Sequence, residues 1–98
     1  MQSKKVEAAL NEQINEELQS AYIYLAMAAE ANRLGLPGFE NWFKMQYQEE
    51  LLHADKFFNY VLERDGQVKL AAIAAPEVKL TSGAAIAASL TCPSRSST

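Results

Sequence analysis

No glycine or proline precedes Gly35, and the whole chain of 98 residues holds only four glycines and three prolines. A stretch that long without a chain breaker excludes a protein built from short strands and turns. Cysteine is nearly absent too: Cys92 stands alone, so no disulfide can close within the chain. No apolar run is long enough to cross a bilayer, so no membrane partner is expected. Basic residues do not dominate either. The net charge of -3 argues against a nucleic-acid binder, which would show a basic face. Lys4 and Lys5 near the start have no apolar core behind them, so no secretory leader is expected. With the free thiol, this gives a cytoplasmic location as the expectation. Length allows one domain, and a 49% hydrophobic, 21% charged composition is ordinary for a globular protein.

What is present is helix. Gly35, Pro37 and Gly38 cluster, and Gly66 follows much later, which cuts the first two thirds of the chain into two long segments. The first helix is expected over about 4–34, with Ser3 as N-cap and Gly35 as a left-handed stop. The second is expected over about 38–64, with Glu40 near its positive end, Arg64 at its negative end and Gly66 just beyond. At about 100° per residue, Val6, Leu10, Ile14, Glu17, Ala21, Tyr24, Ala28 and Ala31 share one stripe of the first helix. Phe39, Phe43, Tyr47, Glu50, His53, Ala54, Phe57 and Val61 share one stripe of the second, and Trp42, Phe57 and Phe58 read as packing residues. The fold class is therefore all-α: a long antiparallel two-helix hairpin over 1–66. Two helices cannot cover both stripes by themselves, so at least a homodimer is expected.

The chain changes character after Gly66. Residues 67–79 read as a loop or extended crossover, and from Leu80 onward Arg95 is the one charged residue. Residues 84–90 have the composition of a short helix, but no amphipathic stripe persists, and loose packing or disorder is the expectation for the last residues.

Polar residues interrupt the stripes at informative places. Glu17 sits mid-stripe on the first helix, and Glu50 and His53 sit mid-stripe on the second. A buried carboxylate is costly unless it is paired or binds a metal. Glu50-x-x-His53 puts two metal-ligating side chains on adjacent turns of one face. Glu17 lies about eighteen residues before the turn and Glu50 about fifteen after it, so equal helical rise sets them at nearly equal height. Alone, His53 would read as a packed or surface histidine, and Glu17 as a carboxylate paired with a basic neighbour; in register they point to a metal. Tyr24, two turns from Glu17 on the same face, reads as core, or as a hydrogen-bond or electron donor to the site. Glu49 reads as a solvated residue, with an accessory metal site as its functional alternative. Glu12, Glu16, Glu30 and Glu63 read as surface charge.

The segments Leu10-Asn11-Glu12-Gln13-Ile14-Asn15-Glu16-Glu17-Leu18 and Phe43-Lys44-Met45-Gln46-Tyr47-Gln48-Glu49-Glu50-Leu51-Leu52-His53-Ala54 resemble the A and B helices of bacterial non-haem ferritins. The likeness is read from Val6 to about Pro76, with nothing after Pro76 resembling the C and D helices of that family. The resemblance implies half of a four-helix bundle, with Glu17, Glu50 and His53 as iron ligands in a carboxylate-bridged di-iron site. It implies a cage-forming oligomer that oxidises Fe(II) with O₂ or H₂O₂, as a ferroxidase, and stores ferric iron. Since one chain carries half of the ligand set, the expected route to a whole site is pairing of two hairpins. Two alternatives remain: a cut-down ferritin half that only forms helical oligomers, and a rubrerythrin-like peroxide reductase, which lacks here the CxxC pair of a rubredoxin-type iron.

Overall fold

The computed structural model describes residues 3–78, which form two helices, α1 (Lys4–Arg33) and α2 (Pro37–Glu63), packed antiparallel. At 1.5 Å rise per residue, α1 is about 45 Å long. The short helix proposed over 84–90 and the character of the last residues lie outside the described residues.

Local chemistry fixes both ends of each helix. Ser3 is extended (φ -154°, ψ 153°), and its hydroxyl accepts a 3.0 Å hydrogen bond from the Val6 amide, satisfying one of the orphan donors of the first turn. At the other end of α1 the Leu36 amide reaches back to the Ala31 carbonyl (2.9 Å) and the Gly35 amide to the Asn32 carbonyl (3.0 Å). Gly35 has φ 71° between them, which completes a Schellman cap. The second helix starts at Pro37, one residue before the glycine expected to open it. A proline ring presets the helical φ and lacks only an amide that would find no partner there. It closes with the same device, Gly66 N–H to Val61 C=O (2.8 Å) and Asp65 N–H to Leu62 C=O (3.1 Å). Here the left-handed residue is Asp65 (φ 58°), not the neighbouring Gly66; a short polar side chain tolerates this region better than most.

Near the turn the core is a cluster of Tyr24, Met27, Ala28, Ala31 and Phe43. Tyr24 packs against Phe43 (6.4 Å between centroids) and against the edge of Trp42 (6.3 Å), which itself stands edge-on to Phe43 (5.4 Å). The small residues Ala21, Ala28, Ala31 and Ala54 are all buried, which lets the two backbones approach closely. The stripes differ from expectation at their margins. Val6 is exposed and its neighbour Glu7 is buried; Trp42 and Phe58 are exposed rather than packed inside. Leu52 (65% exposed) and Met45 (55%) also stand in solvent, so the hairpin presents apolar surface outward.

The burial of Glu7 has a specific cause. Residues 67–78 form neither helix nor strand, and the first of them lie along α1 in register with it. The Gln67 amide donates to the Glu7 carboxylate, the Lys69 amide to Asn11 Oδ1 (2.7 Å) and the Ala71 amide to Asn15 Oδ1 (3.1 Å). Asn11 Nδ2 also donates to the Gln67 carbonyl (2.9 Å), so one side-chain amide serves residues 67 and 69 as a neighbouring strand would. The spacing explains why this works. Four helical residues rise about 6.0 Å, and two extended residues span about 6.6–6.8 Å, so three rungs stay in step.

Two outcomes follow from these ends and rungs. Gly35→Ala forces a Cβ into a left-handed conformation with no neighbouring atoms to compensate, and should lower unfolding free energy by about 1–2 kcal/mol in denaturant melts. The Gln67 hydrogen bond holds the Glu7 carboxyl below its ordinary pKa. The first rung is therefore intact above the ordinary carboxylate range and weakens as pH falls through the lowered value. Amide hydrogen exchange at Gln67 should accelerate on acidification, and in Glu7→Ala it should already be fast at neutral pH.

Candidate metal centre

Glu17 leaves the middle of α1 toward α2, between the buried Ile14 and Ala21. Glu50 and His53 leave α2 one turn apart on the facing side. Both carboxylates are almost fully buried, at 1% and 3% exposure, and His53 is half-buried. His53 Nδ1 lies 3.6 Å from Glu17 Oε1 and 3.6 Å from Glu50 Oε1. One ligand atom from each of the three falls within 4.8 Å of the others.

Distances of 3.6 Å are too long for a good hydrogen bond. They are close to the separation of donors that share an ion. Oxygen and nitrogen ligands at about 2.0–2.2 Å from one metal stand roughly 3.0–3.4 Å apart. Glu17 Oε1 and His53 Nδ1 are buried and have no hydrogen-bond partner among the described residues. Buried polar atoms left in that condition are rare, and each asks for an explanation such as an ion or water. A set of two carboxylates and an imidazole suits a first-row transition ion.

Electrostatics point the same way. Burial raises the Glu17 pKa, and the adjoining Glu50 carboxyl raises it further; the hydrogen bond from Gln13 and the nearby His53 oppose this. Without a cation, the folded chain therefore holds a proton on Glu17 to higher pH than the unfolded chain does. Between those two pKa values the native state binds more protons, so its stability falls as pH rises. A bound divalent cation reverses this logic by supplying the missing positive charge. Glu17→Gln removes the charge while keeping the shape. It should stabilise the metal-free chain at neutral pH by about 1 kcal/mol and flatten its stability–pH profile. Thermal unfolding from pH 5 to 8 checks both.

Tyr24 is buried two turns further along α1, in the aromatic cluster. Glu49 is exposed and does not join the group of three. The sequence pattern did not single out Gln13, whose Nε2 donates to Glu17 Oε2 at 2.8 Å. An i, i+4 spacing from Glu17 was the available signal.

Residues 7–91 match the family model for the ferritin-like domain. The bacterial non-heme ferritin of Staphylococcus aureus strain USA300 is 38% identical over 82 residues, covering 84% of this chain and 49% of the relative. The same protein from Staphylococcus epidermidis is 40% identical over 82 residues, with the same coverage. Among solved structures, an open pore ferritin from the hyperthermophilic archaeon Archaeoglobus fulgidus superposes with a TM-score of 0.81 at 49% identity, covering 87% of this chain and 52% of that one. A humanized archaeal ferritin gives 0.83 at 46% identity, covering 90% and 55%. The chain thus spans about half the length of the relatives it matches. The family match runs on to residue 91, past Pro76, where the resemblance read from the helix motifs ends. The Ala- and Ser-rich stretch beyond it carries no amphipathic stripe by which to see the likeness. With the family model matching residues 7–91 of the chain, and the same helical hairpin recurring in ferritins at nearly half identity, this chain belongs to the ferritin-like family.

Proposed function

We propose that the chain binds iron through Glu17, Glu50 and His53 and serves Fe(II) oxidation and ferric iron storage of the ferritin type. The observation that carries this reading is the convergence of two buried carboxylates and an imidazole, with Glu17 Oε1 and His53 Nδ1 lacking hydrogen-bond partners among the described residues. A membership in the ferritin-like family makes iron the ion to test first.

In this reading Glu17 and His53 each present one atom to the ion. Glu50, one turn before His53 on α2, would serve as the carboxylate shared with a second ion. The carboxylates supply negative charge in a buried setting, which favours the ferric over the ferrous state. Two Fe(II) substrates give up one electron each, and O₂ takes both with two protons to leave H₂O₂. Tyr24 is the candidate for a further electron or a hydrogen bond. One chain carries one Glu17 and one Glu50-x-x-His53, half of the set found in di-iron bundles. We assign the other half to a second copy, hairpin against hairpin, in a homodimer or a multiple of it. Outward-facing apolar side chains on the described hairpin support such pairing. Metal binding and association are then linked, each strengthening the other.

Native mass spectrometry after anaerobic Fe(II) addition tests the stoichiometry, with two irons per pair of chains expected. O₂ uptake tests the chemistry: Glu50→Ala should slow rapid Fe(II) oxidation at least 100-fold. Metal-free chains, or an unchanged rate in that variant, would refute the assignment.

A further inference from the structure

Glu17 has two carboxylate oxygens with different surroundings. Oε2 accepts the 2.8 Å hydrogen bond from Gln13 Nε2, one turn earlier on α1. Oε1 faces His53 Nδ1 and has no hydrogen-bond partner among the described residues. The asymmetry is built into the helix. Residues at i and i+4 lie one above the other on the same face, so the Gln13 amide reaches the Glu17 carboxylate without crossing to α2. Glu17 itself is 1% exposed, which leaves little water to do the same job.

Resting on the iron-binding reading above, we infer that Gln13 is a positioning residue for the metal: it holds Glu17 so that only Oε1 is offered, making Glu17 a single-oxygen ligand. Two physical consequences follow. A fixed carboxylate loses less rotamer freedom when the ion arrives, so the ion binds more tightly. An oxygen already engaged by an amide N–H is a poorer second donor, so the carboxylate does not close on the ion with both oxygens. A coordination position thereby stays open for a bridging group or an oxidant. Removing the amide frees Oε2, lets the side chain swing, and permits two-oxygen chelation. Partners of ligands in other metal sites change affinity by about 10–100-fold when lost.

Cobalt(II) is the probe, because its visible absorption intensity reports coordination number independently of any turnover. The full chain, as wild type and as Gln13→Met, is titrated with Co(II), and the metal-free melting temperature is recorded for both. Methionine keeps the length and helix preference of glutamine and lacks the donor. Gln13→Ala is the second donor-free variant, should methionine disturb folding. The expected result is a 10–100-fold weaker Co(II) affinity and a weaker absorption per cobalt, from a higher coordination number, with metal-free melting temperatures within a few degrees of wild type. Gln13→Lys, which restores an N–H donor at the same position, should recover the wild-type absorption intensity. Wild-type affinity and spectrum in both donor-free variants would overturn the inference while leaving the metal site standing. Failure of the wild-type chain itself to bind Co(II) would overturn the iron-binding reading, and this inference with it.

Discussion

Two carboxylates facing each other inside a helical hairpin are expensive. Each loses most of its hydration, each repels the other, and the low-polarity surroundings amplify both effects. Glu17 and Glu50 stand in that relation, at 1% and 3% exposure. What makes the arrangement tolerable without a metal is local: protonation of Glu17, whose pKa is driven upward, the Gln13 amide on one of its oxygens, and His53 on the open side. None of these removes the cost entirely. The hairpin gives up stability at its centre where these carboxylates meet, and a cation at that point would offset the repulsion.

The rest of the fold holds the two helices in the register that this group requires. The Schellman cap at Gly35 fixes where α1 ends and Pro37 fixes where α2 begins, and together they set the number of turns between the connection and each carboxylate. The aromatic cluster of Tyr24, Trp42 and Phe43 locks the turn end. At the far end, the extended segment fastened by Glu7, Asn11 and Asn15 ties the exit of α2 to the start of α1. Sliding one helix by a turn would break an anchor at each end as well as separate Glu17 from Glu50 and His53. A site that must hold its ligands closely benefits from elements fixed at both ends.

Half a bundle leaves apolar surface uncovered, and the described hairpin shows it in Met45, Leu52 and Trp42. The same half-exposure appears at the site, where His53 remains partly open while both carboxylates are closed off. The open side of the Glu17, Glu50 and His53 group and the outward apolar side chains are two signs of one incompleteness. They lead to the same expectation, that association and metal occupancy reinforce each other.

The two helices, their short connection, the left-handed stop at Gly35 and the meeting of Glu17, Glu50 and His53 were legible from sequence because each is a local or periodic property. A 3.6-residue repeat decides which side chains share a face, and a glycine after a helical run decides where the run stops. Equal rise along two antiparallel helices brings Glu17 level with Glu50. Tertiary structure decided what depends on the path of the chain across α1. Glu7 is buried and Val6 exposed because residues 67–71 lie over that turn, and nothing within α1 encodes their arrival. Asp65, rather than the neighbouring Gly66, takes the left-handed conformation, because the Schellman bonds count from Val61 rather than from the nearest glycine. Trp42 and Phe58 read as packing residues by sequence yet are exposed by position, since apolar character says only that a side chain seeks a partner. Which face finds its partner within the chain, and which must find it elsewhere, is a property of packing that periodicity does not carry.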